Sequence, residues 1–344
     1  MTGAVETWQV IGGLGLFAGS AAICAVLIVV LRPYLQRYAL ARPNARSSHV
    51  TPTPQGGGIA VIAATLGLAI LIIAAGGWVS AEIAARMWPV FVATAVIAVI
   101  GAVDDMRTLA IAPRLLLQTI CVAATIAALP AELHVVPLLP LWLERLVMLL
   151  AGVWFVNLVN FMDGIDWMTV AEVVPVTLGL VLIGLLGALP TPAIIVAIAL
   201  CGAMIGFAPF NRPVAQLFLG DVGSLPIGLL LLWLLLLVAG NGHIVAALIL
   251  PLYYLADSTI TLIRRMLKRE PFWESHRSHF YQSATQRGLS VPEVVARVFA
   301  TNVALVVLAT ATVLVPGITS SVASAIFAAA FVGWLLYALA KGKR

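Results

Sequence analysis

The sequence predicts an all-α integral membrane protein, and three observations lead to that fold class. Hydrophobic residues make up 62% of the 344-residue chain, and charged residues make up only 10%. The mean hydropathy is +1.10, far above that of soluble domains. Apolar stretches of about 20 residues recur along the chain, and each could cross a hydrocarbon core of roughly 30 Å as a helix. We therefore expect a single polytopic membrane domain over residues 1–344.

These apolar stretches predict about eleven transmembrane helices. We expect the first to be a retained helix rather than a cleaved leader, because Glu6 precedes it in place of a basic region and no small-residue cleavage pattern interrupts it. The predicted spans are 8–31, 58–76, 87–103, 111–130, 144–161, 169–188, 191–209, 222–239, 243–263, 297–315 and 320–339.

Lys and Arg are concentrated in alternate loops, and this sets the expected orientation. With a periplasmic N-terminus and a cytoplasmic C-terminus, all of the 19 Lys and Arg residues except Arg86 and Arg145 fall on the cytoplasmic side, as the positive-inside rule requires. We therefore expect the working loops to face the cytoplasm. These loops are 33–57, 104–110, 160–168, 210–222 and 264–296.

Charge and cysteine content narrow the classes of function. The net charge of +5 suits membrane lipid with anionic head groups and phosphorylated ligands. No long basic run with interleaved aromatic residues is present, so we expect no nucleic acid partner. Cys24, Cys121 and Cys201 all fall inside predicted helices, which indicates buried apolar side chains rather than disulfides or metal ligands.

All the aspartates lie at or near the predicted cytoplasmic ends of helices. An ionised carboxylate at the centre of a membrane helix costs about 2.5–3.5 kcal/mol, so acids near membrane depth usually face a polar cavity and have a function there. The aspartates converge on one face of the membrane. They are Asp104, Asp105, Asp163, Asp166, Asp221 and Asp257.

Two close pairs of aspartates point to a divalent cation. Asp163 and Asp166 are three residues apart, so their carboxylates would share one side of a helical turn and repel unless a cation or a proton lay between them. The adjacent Asp104 and Asp105 raise the same problem. The alternative for each acid, and especially for Asp257, is a carboxylate that caps backbone N–H groups or pairs with an Arg.

The other cytoplasmic loops supply groups that bind phosphate. The segment "RSSHVTPTPQGGG" combines cations and hydroxyls with three glycines, which let backbone amides approach a ligand closely. The segment "FNRPVAQLFLGDVGS" places an amide, an aromatic ring and a carboxylate before the next helix, and "RRMLKREPFWESHRSHFYQ" is crowded with cations. Acids for Mg²⁺ and bases for phosphate together indicate phosphoryl transfer at the membrane surface.

Five motifs in order resemble those of the polyprenyl-phosphate N-acetylhexosamine-1-phosphate transferases, the bacterial glycosyltransferase family 4. They are "HVTPTPQGGG", "GAVDDMRTLAIAPRLLLQ", "NLVNFMDGID", "NRPVAQLFLGDVGSLPIG" and "HRSHFYQ". The resemblance implies transfer of a sugar 1-phosphate from a UDP-N-acetyl sugar to undecaprenyl phosphate, with release of UMP. The variants "RSSHVTPTP" and "SHRSHFYQ" look more like the branch that initiates O-antigen and lipopolysaccharide than the peptidoglycan-precursor branch.

The resemblance also implies roles for the acids. Asp221 would bind Mg²⁺, or alternatively Mn²⁺, with Asn160 as the second ligand. Asp104 would orient or deprotonate the lipid phosphate, with Asp105 as its partner in catalysis. Asp163 would be a nucleophile in a two-step route, and the sequence leaves open whether the lipid phosphate attacks directly instead.

Substrate-binding roles follow from the same resemblance. The family pattern places one group of residues around uridine and another at the pyrophosphate or sugar, although Phe218 could also be a simple helix-entry anchor and each histidine a solvated side chain. Trp167 stands where the family commonly has glycine, so the turn or pocket wall could differ there. The residues are Gly164, Ile165, Asp166, Asn211 and Phe218 for uridine, and His49, His276, Arg277 and His279 for the pyrophosphate or sugar.

Two other classes of function remain as alternatives. A secondary transporter would place its ionisable residues near the bilayer midplane, whereas these acids lie at one end. A scaffold for envelope enzymes would not need clustered aspartates. The sequence does not identify the sugar, and a homodimer is one option for the oligomeric state.

Overall fold

The computed structural model describes residues 2–41, 52–75, 81–107, 109–271 and 276–343. In these ranges the chain is almost entirely helical, with one short antiparallel pairing of β1 (Leu40–Ala41) and β2 (Thr53–Pro54). The helices are α1 (Thr2–Tyr38), α2 (Gly58–Ala75), α3 (Ala81–Met106), α4 (Ile111–Ala127), α5 (Leu141–Met162), α6 (Met168–Ile183), α7 (Thr191–Phe207), α8 (Asp221–Val238), α9 (Ile244–Ile249), α10 (Leu252–Leu267), α11 (Phe280–Gln286), α12 (Val291–Leu314) and α13 (Ile318–Lys341).

Helix length and composition confirm the all-α membrane class. Within the described ranges, nine helical segments are long and apolar enough to cross a membrane, and the apolar helix α4 is shorter. The count of eleven and the orientation of the termini stay predictions. The nine segments are Ile11–Tyr38, Gly58–Ala75, Ala85–Met106, Leu141–Met162, Met168–Ala188, Thr191–Phe210, Asp221–Ile249, Val291–Leu314 and Ile318–Lys341.

Two of the eleven predicted spans account for the difference in count: the span 111–130 corresponds to the shorter helix α4, and the span 243–263 is not continuous. The segment Asp221–Ile249 leaves helical geometry at Asn241 and at Gly242, whose φ is 88°, which is where the predicted eighth span gives way to the ninth. The predicted ninth span, 243–263, is then interrupted at Pro251 between α9 and α10. Proline has no N–H to continue a helical hydrogen-bond ladder, so the break follows from the sequence.

Helix α8 lies at the centre of the bundle, and glycines bring α2 and α3 against its first turn. A side chain on Gly58 would meet the Gly223 backbone at 2.2 Å, and a side chain on Gly101 would meet the Asp221 carbonyl oxygen at 2.3 Å. Only glycine allows backbones to approach this closely. The close packing delivers the C-terminal end of α3 and the N-terminal end of α8 to the same place.

The segment after β2 attaches the residues before α8 to this end of the bundle. Phe218 N–H donates to the Pro54 carbonyl at 2.9 Å, and Gly57 N–H donates to the Phe218 carbonyl at 2.9 Å. The side-chain amide of Gln55 donates to the Asp105 carbonyl at 2.6 Å. Three of the loops that the sequence predicts to share one membrane face are therefore in direct contact.

Candidate active site

Asp105 closes the start of α8. Its two carboxylate oxygens accept the backbone N–H groups of Asp221 at 3.0 Å and Val222 at 3.1 Å. A helix start leaves such groups unpaired, so an acceptor here stabilises both the backbone and the helix dipole. Gly220 precedes the helix with φ 78°, and a side chain there would collide with the Asp105 carboxylate. The geometry therefore gives Asp105 a positioning task at the site, and its predicted part in catalysis stays a prediction.

Asp104 instead faces a cation that the sequence reasoning did not single out. One oxygen accepts the Leu109 N–H at 2.6 Å, and the other pairs with the Arg114 guanidinium at 2.7 Å. The same guanidinium lies 4.0 Å from Asp221. Its position inside the "DDMRTLAIAPRLLLQ" motif, one loop beyond the acids, was the available signal. Arg114 thus links two acids that come from different helices.

Asp221 and Asn160 are side by side, as the predicted metal site requires. The Asn160 amide lies 2.7 Å from an Asp221 carboxylate oxygen and 2.9 Å from the Ser224 hydroxyl. Asn160 occupies the last turn of α5 and Asp221 the first turn of α8. Two helix ends therefore converge here, with the Asn160 side-chain NH₂ donating to Asp221 and to Ser224, and the Asn160 side-chain oxygen would have to turn toward a metal ion to bind it.

The donor set fits a magnesium ion that is shared with substrate phosphates. The carboxylates of Asp104 and Asp221 are in contact, with Asp105 nearby, and carboxylates this close repel unless a cation or a proton lies between them. Within the described residues no three His, Cys, Asp or Glu side chains form a metal-binding group. Mg²⁺ usually takes one or two carboxylates and completes its shell with water and phosphate oxygens, so Asp221, joined by Asn160 once its side-chain oxygen faces the ion, would form a site of this kind.

Asp163 ends α5 in a desolvated position. Burial raises the pKa of the Asp163 carboxyl to about 6, and the negative charges of Asp105 and Asp166 add to this rise. The Thr169 hydroxyl donates a short hydrogen bond to it and acts in the opposite direction. A carboxylate with such a pKa can accept or release a proton near neutral pH.

The turn that follows Asp163 is tied to the loop before α8. Asp166 is buried and accepts the Ala215 N–H at 3.0 Å. The Trp167 N–H donates to the Asn211 side-chain oxygen at 2.8 Å, and the Asn211 amide donates to the Leu217 carbonyl at 3.0 Å. Asn211 is thus already engaged between the two loops, and its predicted contact with uridine stays a prediction.

Trp167, which stands where the resemblance predicts glycine, adopts a backbone conformation that favours glycine. Its backbone adopts φ 63° and ψ 0°, in the left-handed region, and its indole N–H donates to the Ala208 carbonyl at 2.6 Å. The departure in sequence therefore changes the side chain at this turn without abolishing its left-handed conformation. For a residue other than glycine this conformation costs roughly 1–2 kcal/mol.

Gly164, Ile165 and Phe218 complete the predicted nucleotide side. A side chain on Gly164 would lie 2.2 Å from the Tyr281 hydroxyl, so glycine is needed for this contact. Ile165 is buried in the core. Phe218 is half-buried and holds the segment after β2 through its backbone. Their contacts place all three at the same end of the bundle.

The C-terminal motif is held next to the other site residues by Asp257. For Asp257 the sequence predicted a capping or pairing role but not these partners. His279 Nδ1 lies 3.0 Å from an Asp257 oxygen, and the same oxygen accepts the Phe280 N–H at 3.1 Å. Asp257 therefore caps backbone N–H groups, which confirms that part of the expectation. The His276 ring stacks on His279 at 4.9 Å between centroids.

Arg277 lies between these two histidines in the chain and is half-buried. Of the predicted site residues, His49 lies outside the described residues. The others, taken together, occupy helix ends and loops that contact one another at one end of the bundle.

The chain is similar in sequence to a known family and to several known enzymes. A family model described as Glycosyl transferase family 4 matches residues 87–239. The chain is 25% identical over 285 residues to the probable undecaprenyl-phosphate N-acetylglucosaminyl 1-phosphate transferase of Bacillus subtilis, with 78% of this chain and 77% of that protein aligned.

Other relatives match shorter parts. The decaprenyl-phosphate N-acetylglucosaminephosphotransferase of Mycobacterium tuberculosis is 32% identical over 209 residues, which cover 56% of this chain and 52% of that protein. The phospho-N-acetylmuramoyl-pentapeptide-transferase of Enterococcus faecalis is 40% identical over 79 residues, which cover 23% and 24%. The chain thus spans about half of the mycobacterial relative and about a quarter of the enterococcal one.

Proposed function

Because the chain belongs to the polyprenyl-phosphate N-acetylhexosamine-1-phosphate transferase family, we propose that it transfers an N-acetylhexosamine 1-phosphate from a UDP-sugar to undecaprenyl phosphate. The products are undecaprenyl-diphospho-sugar and UMP. The observation that carries the proposal is the junction of Asp104, Arg114, Asp221 and Asn160 at the meeting point of four helix ends, those of α3, α4, α8 and α5. This junction combines carboxylates for a hard cation with a guanidinium for phosphate.

The reaction joins two negatively charged substrates that repel each other, and the site residues would reduce this repulsion. An oxygen of the lipid phosphate attacks the phosphorus that carries the sugar, the bond from that phosphorus to the bridging oxygen breaks, and UMP leaves with that oxygen. Mg²⁺ held by Asp221 and Asn160 would neutralise charge on the pyrophosphate and on the departing UMP. Arg114 offers a second positive charge beside the same acids.

Asp104 is placed to orient the attacking phosphate through Arg114. A phosphate monoester is largely dianionic at neutral pH, since its second pKa is about 6, so orientation matters more than proton removal. Asp163 is the residue for a two-step alternative, in which its carboxylate would first take the sugar phosphate. Both routes use the same helix ends.

The setting of the reaction belongs to the same proposal. A soluble nucleotide sugar and a membrane-embedded lipid phosphate can meet only at a membrane surface, and the distribution of Lys and Arg favours the cytoplasmic face of the bacterial inner membrane. The motif variants favour initiation of O-antigen or a similar envelope glycan. The names of the Bacillus and mycobacterial relatives make UDP-N-acetylglucosamine the first donor to test.

One assay tests the proposed function directly. Purified protein in detergent with undecaprenyl phosphate and Mg²⁺ should release UMP from at least one member of a panel of UDP-N-acetyl sugars, and chelation should stop the release. UDP-N-acetylglucosamine, UDP-N-acetylgalactosamine and their 6-deoxy relatives form the panel. Absence of UMP release with every donor, from protein that remains folded, would contradict the proposal.

A further inference from the structure

Asp257 is a fully buried carboxylate that the transfer chemistry described above does not use. It lies within α10 and has no solvent exposure. A buried carboxylate is strongly destabilising unless hydrogen-bond donors surround it. Its donors come from two parts of the chain: the segment 279–281, through His279 Nδ1 and the backbone N–H groups of Phe280 and Tyr281, and α10 itself, through the hydroxyls of Tyr253 and Thr261.

The contact with His279 fixes that ring in orientation and in tautomer. A carboxylate accepts hydrogen bonds only, so Nδ1 must carry the proton in this pair. The ring is 3% exposed and stacks on Tyr281 at 5.7 Å between centroids. Among the described residues Nε2 has no hydrogen-bond partner, so Nε2 is the nitrogen that remains for a ligand.

The same contacts connect Asp257 to the turn that carries Asp163. The Tyr281 N–H donates to Asp257 at 3.4 Å, and the Tyr281 hydroxyl donates to the Phe161 carbonyl at 3.1 Å. Tyr281 also packs against Gly164. The position of His279 relative to that turn is therefore determined by one short segment, residues 279–281, held by one carboxylate.

We propose that Asp257 is a positioning residue for the transfer reaction, acting through His279. It holds the ring so that Nε2 meets a phosphate oxygen of the nucleotide sugar, and it stabilises the imidazolium form when that anion arrives. A buried aspartate has this effect on a histidine wherever it accepts a hydrogen bond from Nδ1–H. The inference rests on the proposed function for the identity of the ligand, whereas the Asp257–His279 contact itself does not.

The competing explanation is that Asp257 only holds α11 in place. In that case its removal would lower stability and activity independently of His279. A double-mutant cycle distinguishes the two, because residues that act through one another have non-additive effects.

The experiment compares Asp257→Asn, His279→Ala and the double variant. Each single variant should lower kcat/KM by about 10- to 100-fold, as loss of an outer-shell partner typically does. The double variant should match His279→Ala alone to within about threefold, because without the ring Asp257 has nothing to position. If the two losses multiply instead, Asp257 acts through the fold and the proposal is wrong.

Two further measurements keep the proposal testable if Asp257→Asn is not recovered as folded protein. Tyr253→Phe removes another donor from the same carboxylate without touching His279, so its kcat/KM should stay within about threefold of wild type. In the wild-type protein, ¹⁵N NMR of labelled histidine, assigned with His279→Ala, should show Nδ1 protonated. A neutral ring protonated at Nε2 would overturn the proposal.

These outcomes separate this inference from the proposed function. If wild-type protein releases no UMP with any donor, the proposed function fails while the NMR result still reports on the Asp257–His279 contact. If wild-type protein is active and the cycle is additive, the positioning role alone fails.

Discussion

Two clusters of polar groups at the same end of the bundle differ in how completely their carboxylates are satisfied. Asp257 is fully buried and accepts hydrogen bonds from five donors. Asp221 is 27% exposed on its side chain, and its carboxylate meets an amide, a distant guanidinium and another carboxylate. A carboxylate saturated by protein donors has no oxygen left for a ligand and can act only through its partners, whereas an unsaturated one beside like charge still has capacity for a cation.

The adjacent residues Asp104 and Asp105 show the same contrast at closer range. Both oxygens of Asp105 are used by the backbone at the start of α8. Asp104 shares its contacts with Arg114 and Asp221. Sequence neighbours at a helix end therefore divide into one residue whose partners are backbone N–H groups of α8 and one whose partners include the charged side chains of Arg114 and Asp221.

The largest expected effect concerns the unsaturated cluster. Asp221→Asn should lower turnover by roughly 10³-fold, since it removes a negative charge that holds the Mg²⁺ ion needed to stabilise the transition state. It should also weaken the dependence on Mg²⁺, because a neutral amide is a poorer ligand for a hard cation. Turnover measured across a Mg²⁺ titration, beside the same titration for wild type, checks both statements. Wild-type metal dependence in this variant would show that Asp221 is not a ligand.

A second pair of variants tests the division between Asp104 and Asp105. Asp104→Asn should lower turnover by about 10²-fold with a smaller change in Tm than Asp105→Asn, because the amide oxygen can still accept the Leu109 N–H and only the charge facing the part-exposed Arg114 is lost. Thermal-shift titration should show nearly unchanged binding of UDP-sugar and Mg²⁺.

Asp105→Asn should instead lower the stability, by about 1–2 kcal/mol, because an amide NH₂ would face a backbone N–H at the start of α8. Tm in detergent, measured for both variants, separates them. Equal loss of Tm in the two variants would show that the neighbours do not divide in this way.

A third prediction uses the raised pKa of Asp163. Since burial raises this pKa to about 6, the carboxyl is mostly ionised at pH 7.5 and mostly protonated at pH 5. If the ionised form is required, kcat/KM should fall about tenfold per pH unit below pH 6. The lipid phosphate titrates in the same range, so wild type alone does not assign the acid limb.

The matched variant for this prediction is Asp163→Asn. If ionisation of Asp163 causes the fall in kcat/KM at low pH, the residual activity of this variant should not fall at low pH. If ionisation of the lipid phosphate causes it, the variant should show the same fall as wild type. A pH profile of the variant that retains the wild-type limb would remove Asp163 as its cause.

The sequence predicted part of the arrangement of acids at the helix ends. Six aspartates near one predicted membrane face indicated a shared site, and the contacts of Asp104, Asp105, Asp163, Asp166 and Asp221 have that arrangement. Capping of α8 by Asp105 depends on Gly58 and Gly101, which bring helices distant in sequence into backbone contact. Periodic patterns in the sequence do not show which helices pack this closely.

The parts that the sequence missed share one physical cause. Pairing of Asp257 with His279 spans 22 residues, and contact of Arg114 with Asp221 joins two different helices. Side-chain contacts of this kind are set by tertiary packing rather than by local propensity. The break at Pro251, by contrast, could have been predicted from the sequence, because proline lacks the N–H that a helix needs. The predicted ninth span runs through Pro251 because hydropathy alone does not detect a missing N–H.

The smallest expected effect lies in the turn that joins the two clusters, at Trp167. Trp167→Gly would remove the strain of φ 63°, worth about 1–2 kcal/mol. Most of that gain is offset by the freedom that glycine adds to the unfolded chain, about 0.5–1 kcal/mol. The variant also loses the indole hydrogen bond to Ala208, about 1 kcal/mol, and the packing of a half-buried ring.

We therefore expect Trp167→Gly to lower Tm by a few degrees and turnover by less than about tenfold, since the backbone hydrogen bond to Asn211 survives the change. Trp167→Phe is the matched control, because it keeps the strained backbone and most of the packing but lacks the indole donor. Its Tm should lie between those of wild type and Trp167→Gly. A glycine variant more stable than wild type would mean that backbone strain outweighs the indole contacts, and that the hydrogen bonds of Asp166 and Asn211 hold the turn against the loop before α8 without the indole.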